Sequence, residues 1–130
     1  MGKSKKEVTV DDLQAFADAF NRHDVDAIMT FMTDDCVFEV SWGPEIYGER
    51  HVGREAVRAG FSKVMDTYPD AQWNDATHFV AGDRGVSEWR FTGTDLSGQK
   101  VAVNGCDVFT FRNGKIRVKN SYRKLRTATG

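Results

Sequence analysis

Val101-Ala-Val-Asn-Gly-Cys-Asp-Val-Phe-Thr-Phe-Arg-Asn-Gly-Lys-Ile116 has the pattern of a strand, a tight turn at Asn113-Gly114 and a returning strand. Its odd positions, Val101, Val103, Gly105, Asp107, Phe109 and Phe111, make an apolar face with a carboxyl group in its middle. An ionised Asp there is costly unless something donates to it, so either a neutral acid or a paired site is implied. A carboxyl whose surroundings set its protonation is a functional candidate.

Working outward from this hairpin, Thr9 or Asp11 can cap a first helix with Leu13, Phe16, Ala17 and Phe20 on one face. Asn21 to Asp24 ends it, and Asp24 can cap a shorter helix carrying Ile28, Phe31 and Met32. Asp34-Asp35 is expected to break that helix. Cys36 to Trp42 alternates as a strand that Gly43-Pro44 should end. Ile46 to Val52 reads as a loop with a short edge strand, and Gly53 to Tyr68 as a helix stopped by Pro69. Strands are predicted near 71–81, 86–95, 100–112 and 116–125. The order ααβ(β)αββββ makes an α+β protein, with helices covering one face of a curved antiparallel sheet. Residues 9–125 read as a single domain, with 1–8 a polar tail and 126–130 a second tail.

A chain of 130 residues suits one domain, and 40% hydrophobic with 28% charged residues argues against disorder. The formal net charge of −1 offers no field to attract nucleic acid or an anionic membrane. Lys3, Lys5 and Lys6 read as a solvated tail, and no apolar run reaches membrane-spanning length. Cys36 and Cys106 lie far apart inside apolar strands, so free thiols and a reducing, cytoplasmic compartment are expected. His23, His51 and His78 lack metal-ligand spacing, and neither a phosphate loop nor a nucleophile elbow is present, so no metal and no cofactor is expected.

Phe20-Asn-Arg-His-Asp-Val-Asp, Phe31-Met-Thr-Asp-Asp-Cys-Val-Phe, Tyr47-Gly with Gly53-Arg-Glu-Ala-Val, and Asp107-Val-Phe-Thr-Phe-Arg-Asn-Gly-Lys-Ile follow one another in a telling order. In that order the chain resembles the nuclear-transport-factor-2-like superfamily, which includes ketosteroid isomerase and the SnoaL-type polyketide cyclases. The resemblance implies a cone-shaped, cystatin-like roll: an antiparallel or mixed sheet wrapped on three helices around a pocket. It aligns Asp107 with the acid that stays protonated and donates to an enolate oxygen in ketosteroid isomerase. That enzyme's tyrosine would fall at Phe16 and its aspartate base at Val40, both apolar here. The epoxide hydrolases of the superfamily fare no better, because their residues would fall at Phe91, Gly93 and Ser121. The single acid/base aspartate of SnoaL-type cyclases is the nearest enzymatic parallel.

Resemblance also turns Lys119, Ser121 and Arg123 toward the pocket, whereas alternation counted from Ile116 turns Val118, Asn120 and Tyr122 inward. A bulge after the turn would reconcile the two. A cation beside Asp107 would hold it ionised, making it a base in place of a donor. Phe16, Phe20, Val40, Trp42, Phe61 and Trp89 are the expected apolar walls, with Tyr47, Met65 and Phe91 nearby; His51 should lie near the mouth. Two readings stand: an acid/base isomerase, cyclase or dehydratase for a small hydrophobic carbonyl compound, or a protein that only binds a small hydrophobic ligand. In either case a homodimer through the outer sheet face is expected.

Overall fold

The structure, a computed structural model, describes residues 7–127; Lys3, Lys5, Lys6 and residues 128–130 lie outside that range. Three helices, α1 (Val10–Asn21), α2 (Val25–Met29) and α3 (Arg54–Thr67), accompany six strands. The strands are β1 (Met32–Glu45), β2 (Gly48–Val52), β3 (Gln72–Ala81), β4 (Arg84–Thr94), β5 (Lys100–Arg112) and β6 (Lys115–Arg123). They form one sheet in the order β2-β1-β6-β5-β4-β3. The β1–β6 pair is parallel and every other pair antiparallel, so the sheet is mixed.

Thr9 caps α1 reciprocally with Asp12, satisfying amides that the helix leaves unpaired. At the other end the Asn21 side chain clamps the Trp73 backbone, accepting from its N–H at 2.7 Å and donating to its carbonyl at 3.0 Å. His23, with φ of 57°, adds a ring contact of 2.7 Å to the Ala71 carbonyl. The Asn-Arg-His-Asp segment thus fixes α1 against the start of β3. Arg54 fastens α3 to α2 and β1 by donating to the Met29 and Met32 carbonyls.

Two sequence expectations change in β1. Asp34-Asp35 does not merely end a helix, because the strand already begins at Met32. Asp35 is held there by Arg112 of β5 at 2.5 Å and Arg117 of β6 at 3.3 Å, which keep its carboxyl well below the usual carboxylate range. Nor does Gly43-Pro44 end the strand, which runs on to Glu45. Proline's missing donor is tolerated because pairing with β2 is interrupted between Val40 and Glu45.

Leu13, Phe16 and Phe20 of α1 and Val57, Phe61 and Met65 of α3 are buried with Phe38, Trp73, Trp89, Phe91, Phe109 and Phe111 of the sheet. Phe61, Phe91 and Phe109 are wholly buried, each contributing about 1.5–3 kcal/mol relative to exposure. The edge-to-face pairs Phe16–Phe109 and Phe20–Trp73 join helix to sheet. Gly105 has no room for a side chain: a Cβ would come 2.6 Å from the Trp89 ring and 2.4 Å from the Tyr122 carbonyl oxygen. The bare backbone lets the Trp89 indole lie across β5 toward Asp107.

In β6 the register shifts by one residue: Phe111 pairs with Ile116, but Thr110 pairs with Val118. Arg117 is the extra residue. This bulge lets both Ile116 and Lys119 face the helices, where unbroken alternation would exclude Lys119.

Candidate functional site

Asp107 is only 4% exposed and its carboxylate accepts three hydrogen bonds. Trp89 Nε1 donates to Oδ2 at 3.0 Å, while Lys119 Nζ and Ser121 Oγ donate to Oδ1 at 2.9 Å and 2.5 Å. Lys119 Nζ also donates to Ser121 Oγ at 2.9 Å. Trp89 and the Lys119 ammonium can only donate, while the Ser121 hydroxyl can donate or accept. Of the two arrangements the apolar strand implied, the structure shows the paired one, with Lys119 against Asp107.

Lys119 is itself 4% exposed. Its ammonium lies 4.9 Å from the Phe38 ring centroid and 5.0 Å from that of Phe20. Burial pushes its pKa below the usual lysine value, and the Asp107 charge opposes that fall. Such a pair resists separation, because either charge alone would be stranded in low dielectric.

Between the sheet, α1 and α3 opens a mostly apolar cavity of about 170 Å³. Phe20, Phe38, Val40, Trp73, Trp89 and Tyr68 supply much of its wall; Lys119, Ser121 and Arg123 face it with polar groups. Arg123 stacks on Phe91, its guanidinium carbon 3.8 Å from the ring centroid. His51 and Glu49 also line the space, with His51 Nε2 3.1 Å from Glu49 Oε1 and the imidazole stacked on Phe38. Gly60 makes room for that imidazole: a Cβ there would sit 3.0 Å from the His51 ring.

The structure brings together Phe20, Val40, Trp89, Lys119, Ser121 and Arg123 on this cavity. Asp107 stands behind Lys119 and Ser121, beside a void of about 20 Å³ that Phe16 also borders. Phe61 is sealed in the core. Trp42 touches the cavity from its rim but is 65% exposed, since β1 leaves its ladder after Val40. Tyr47 is exposed as well, under the Arg50 guanidinium at 3.7 Å.

The SnoaL-like domain model matches residues 13–118. The chain belongs to the SnoaL-like domain family. A candidate polyketide cyclase from Xanthomonas campestris pv. campestris is 28% identical, with 87% of each chain covered and a TM-score of 0.76. An NTF2-like protein of unknown function from Mesorhizobium loti is 31% identical over 87% of this chain and 88% of its own, with a TM-score of 0.70. TerC, co-crystallised with polyporic acid, is similar in fold at 19% identity, with 86% and 88% covered and a TM-score of 0.72. No curated protein matches the chain.

Some residues of this SnoaL-like cavity carried little sequence signal. Trp73 and Tyr68 line it, and Lys63 stands at its edge, yet they sit at a strand start, a helix end and an exposed helix position. A second polar group, Ser87, is buried next to Asp107 in the ladder and lies 2.7 Å from His78 Nδ1. The other His78 nitrogen is 3.0 Å from Gln14 Oε1, and burial lowers the pKa of this histidine. Cys36 is buried and Cys106 half-buried, both thiols pushed up by burial. Among the described residues no three His, Cys, Asp or Glu side chains gather as a metal site, and no helix is long and apolar enough to cross a membrane.

Proposed function

We propose that this SnoaL-like protein is an acid/base enzyme that enolises a small carbonyl compound, leading to isomerisation, cyclisation or dehydration. One observation carries the proposal: a buried ammonium, Lys119, and a hydroxyl, Ser121, face an apolar cavity with their counter-ion Asp107 behind them. A carbonyl oxygen seated against Lys119 receives the remaining N–H of an ammonium that Asp107 and Ser121 already hold in place, and charge developing on it is stabilised in low dielectric. The α-proton passes to the His51 imidazole while the C–H electrons form the enolate C=C and the carbonyl pair moves onto oxygen. Glu49, near Nε2, leaves Nδ1 as the acceptor. Reprotonation elsewhere gives an isomer, attack on a second carbonyl gives a ring, and loss of a β-hydroxyl gives dehydration. Asp107 is then a positioning residue that keeps Lys119 charged.

The test is deuterium exchange. Cyclic ketones and diketones incubated with the protein in D₂O should exchange their α-protons faster than in buffer, as read by proton NMR. Failure of every compound to do so returns the protein to the second reading, a small-molecule binder. That alternative draws support from Asp107 being fully engaged and screened from the main cavity.

We also propose a homodimer through the outer sheet face. Phe79 and Tyr122 are each 53% exposed there, on a face shared with Val86, Val108 and Val118. Sedimentation at micromolar concentration should give twice the chain mass, and a monomer would rule the dimer out.

A further inference from the structure

We infer that the cavity takes a ring-sized apolar compound carrying an anionic oxygen group, a carboxylate or an acidic enol, and that Arg123 reads that group. This names a substrate class for the cavity and rests on the proton-transfer reading given above.

The charges on the wall do not balance. Asp107 is committed to Lys119, and Glu49 lies against His51. Arg123, within the cavity, and Lys63, at its edge, remain without a carboxylate among the described residues. This is unlike Arg50, Arg58, Arg90, Arg112 and Arg117, each of which meets one. Arg123 is also no solvated surface cation, because burial lowers its pKa and Phe91 covers one face of its guanidinium. Stacking occupies the flat face and leaves the in-plane N–H donors, the ones suited to paired oxygens, without an acceptor among the described residues.

Partial desolvation of a guanidinium is unfavourable unless a counter-charge arrives. An anionic ligand supplies it. The apolar wall sets the remainder of the ligand: about 170 Å³ is close to the roughly 150 Å³ of an apolar cavity that holds benzene. One ring therefore fits between Phe38, Trp73 and Trp89 with its oxygens toward Arg123.

Benzoate and benzamide share this shape and differ in charge. In NMR titrations the wild-type protein should bind benzoate about ten- to a hundredfold more tightly than benzamide. Arg123→Met should bring the two to parity, and Arg123→Lys should keep part of the preference, with melting curves confirming that both variants fold. Benzoate that binds no better than benzamide, or does not bind below its solubility limit, overturns the inference, as does a preference that survives Arg123→Met. The two proposals separate cleanly. Benzoate preference without deuterium exchange on any ketone keeps the anion site and removes the enzyme. Exchange on neutral ketones without that preference does the reverse.

Discussion

Lys119→Met is expected to lower the unfolding free energy by about 3–5 kcal/mol, because it strands a buried carboxylate. Methionine keeps the unbranched stem beside the Phe20 and Phe38 rings, so packing changes little and the missing charge dominates. Asp107 would retain Trp89 and Ser121 as donors but lose its ion-pair partner. For a chain of this length the loss corresponds to a fall in melting temperature of roughly 10–20 °C. Adding Asp107→Asn removes the orphaned charge. The new amide can accept from Trp89 and donate to the Ser121 oxygen, so the double variant should recover a substantial part of the loss. Denaturant titrations of the two single variants and the double variant measure this coupling. Strictly additive losses would mean that the pair stabilises nothing jointly.

Asp107→Asn alone should reduce exchange of a responsive ketone by about 10²–10³-fold, the usual consequence of disabling one oxyanion donor. The direct effect falls on Lys119, which loses the charge that sustains its protonation in an apolar setting. Alkaline behaviour reveals the cause. Burial already places the Lys119 pKa below its ordinary value, and the nearby Arg123 lowers it further, while Asp107 raises it. Wild-type activity should therefore fall as pH rises through that lowered pKa and the ammonium becomes a neutral amine. Without Asp107 the same fall must come at lower pH. An unmoved alkaline limb would reduce Asp107 to a structural residue. The Asp107→Asn, Lys119→Met double variant is the companion measurement, since a folded but inactive protein there separates catalysis from stability.

The site was legible in proportion to how strictly local rules held. Parity in β5 places Asp107 among Val103, Phe109 and Phe111 without ambiguity, because that strand is regular across its pairing with β4. Its partner could not be found the same way. Beyond the Asn113-Gly114 turn the extra residue Arg117 breaks the period, so alternation selects Val118, Asn120 and Tyr122. Only family resemblance pointed to Lys119, Ser121 and Arg123. With Lys119 hidden, a protonated and an ionised Asp107 were equally consistent with the pattern. Trp42 reaches only the rim of the cavity for a related reason: an aromatic residue next in an alternating run lies fully inside only while its strand stays paired, and β1 departs after Val40. His51 depended on Gly60, a small residue in mid-helix whose purpose emerges only once α3 is packed against β2.

The extra residue in β6 gives the cavity an unusual fragility. Flattening the bulge at constant length, with Arg117 taken into the ladder opposite Thr110, would restore simple alternation and send two cations and a hydroxyl to the outside, replacing them with Val118, Asn120 and Tyr122. Such a change would leave the hairpin and most of the core untouched while emptying the interior of its reactive groups. On this scaffold one interior chemistry can thus be exchanged for another by a shift of pairing register alone, with no substitution at the site itself.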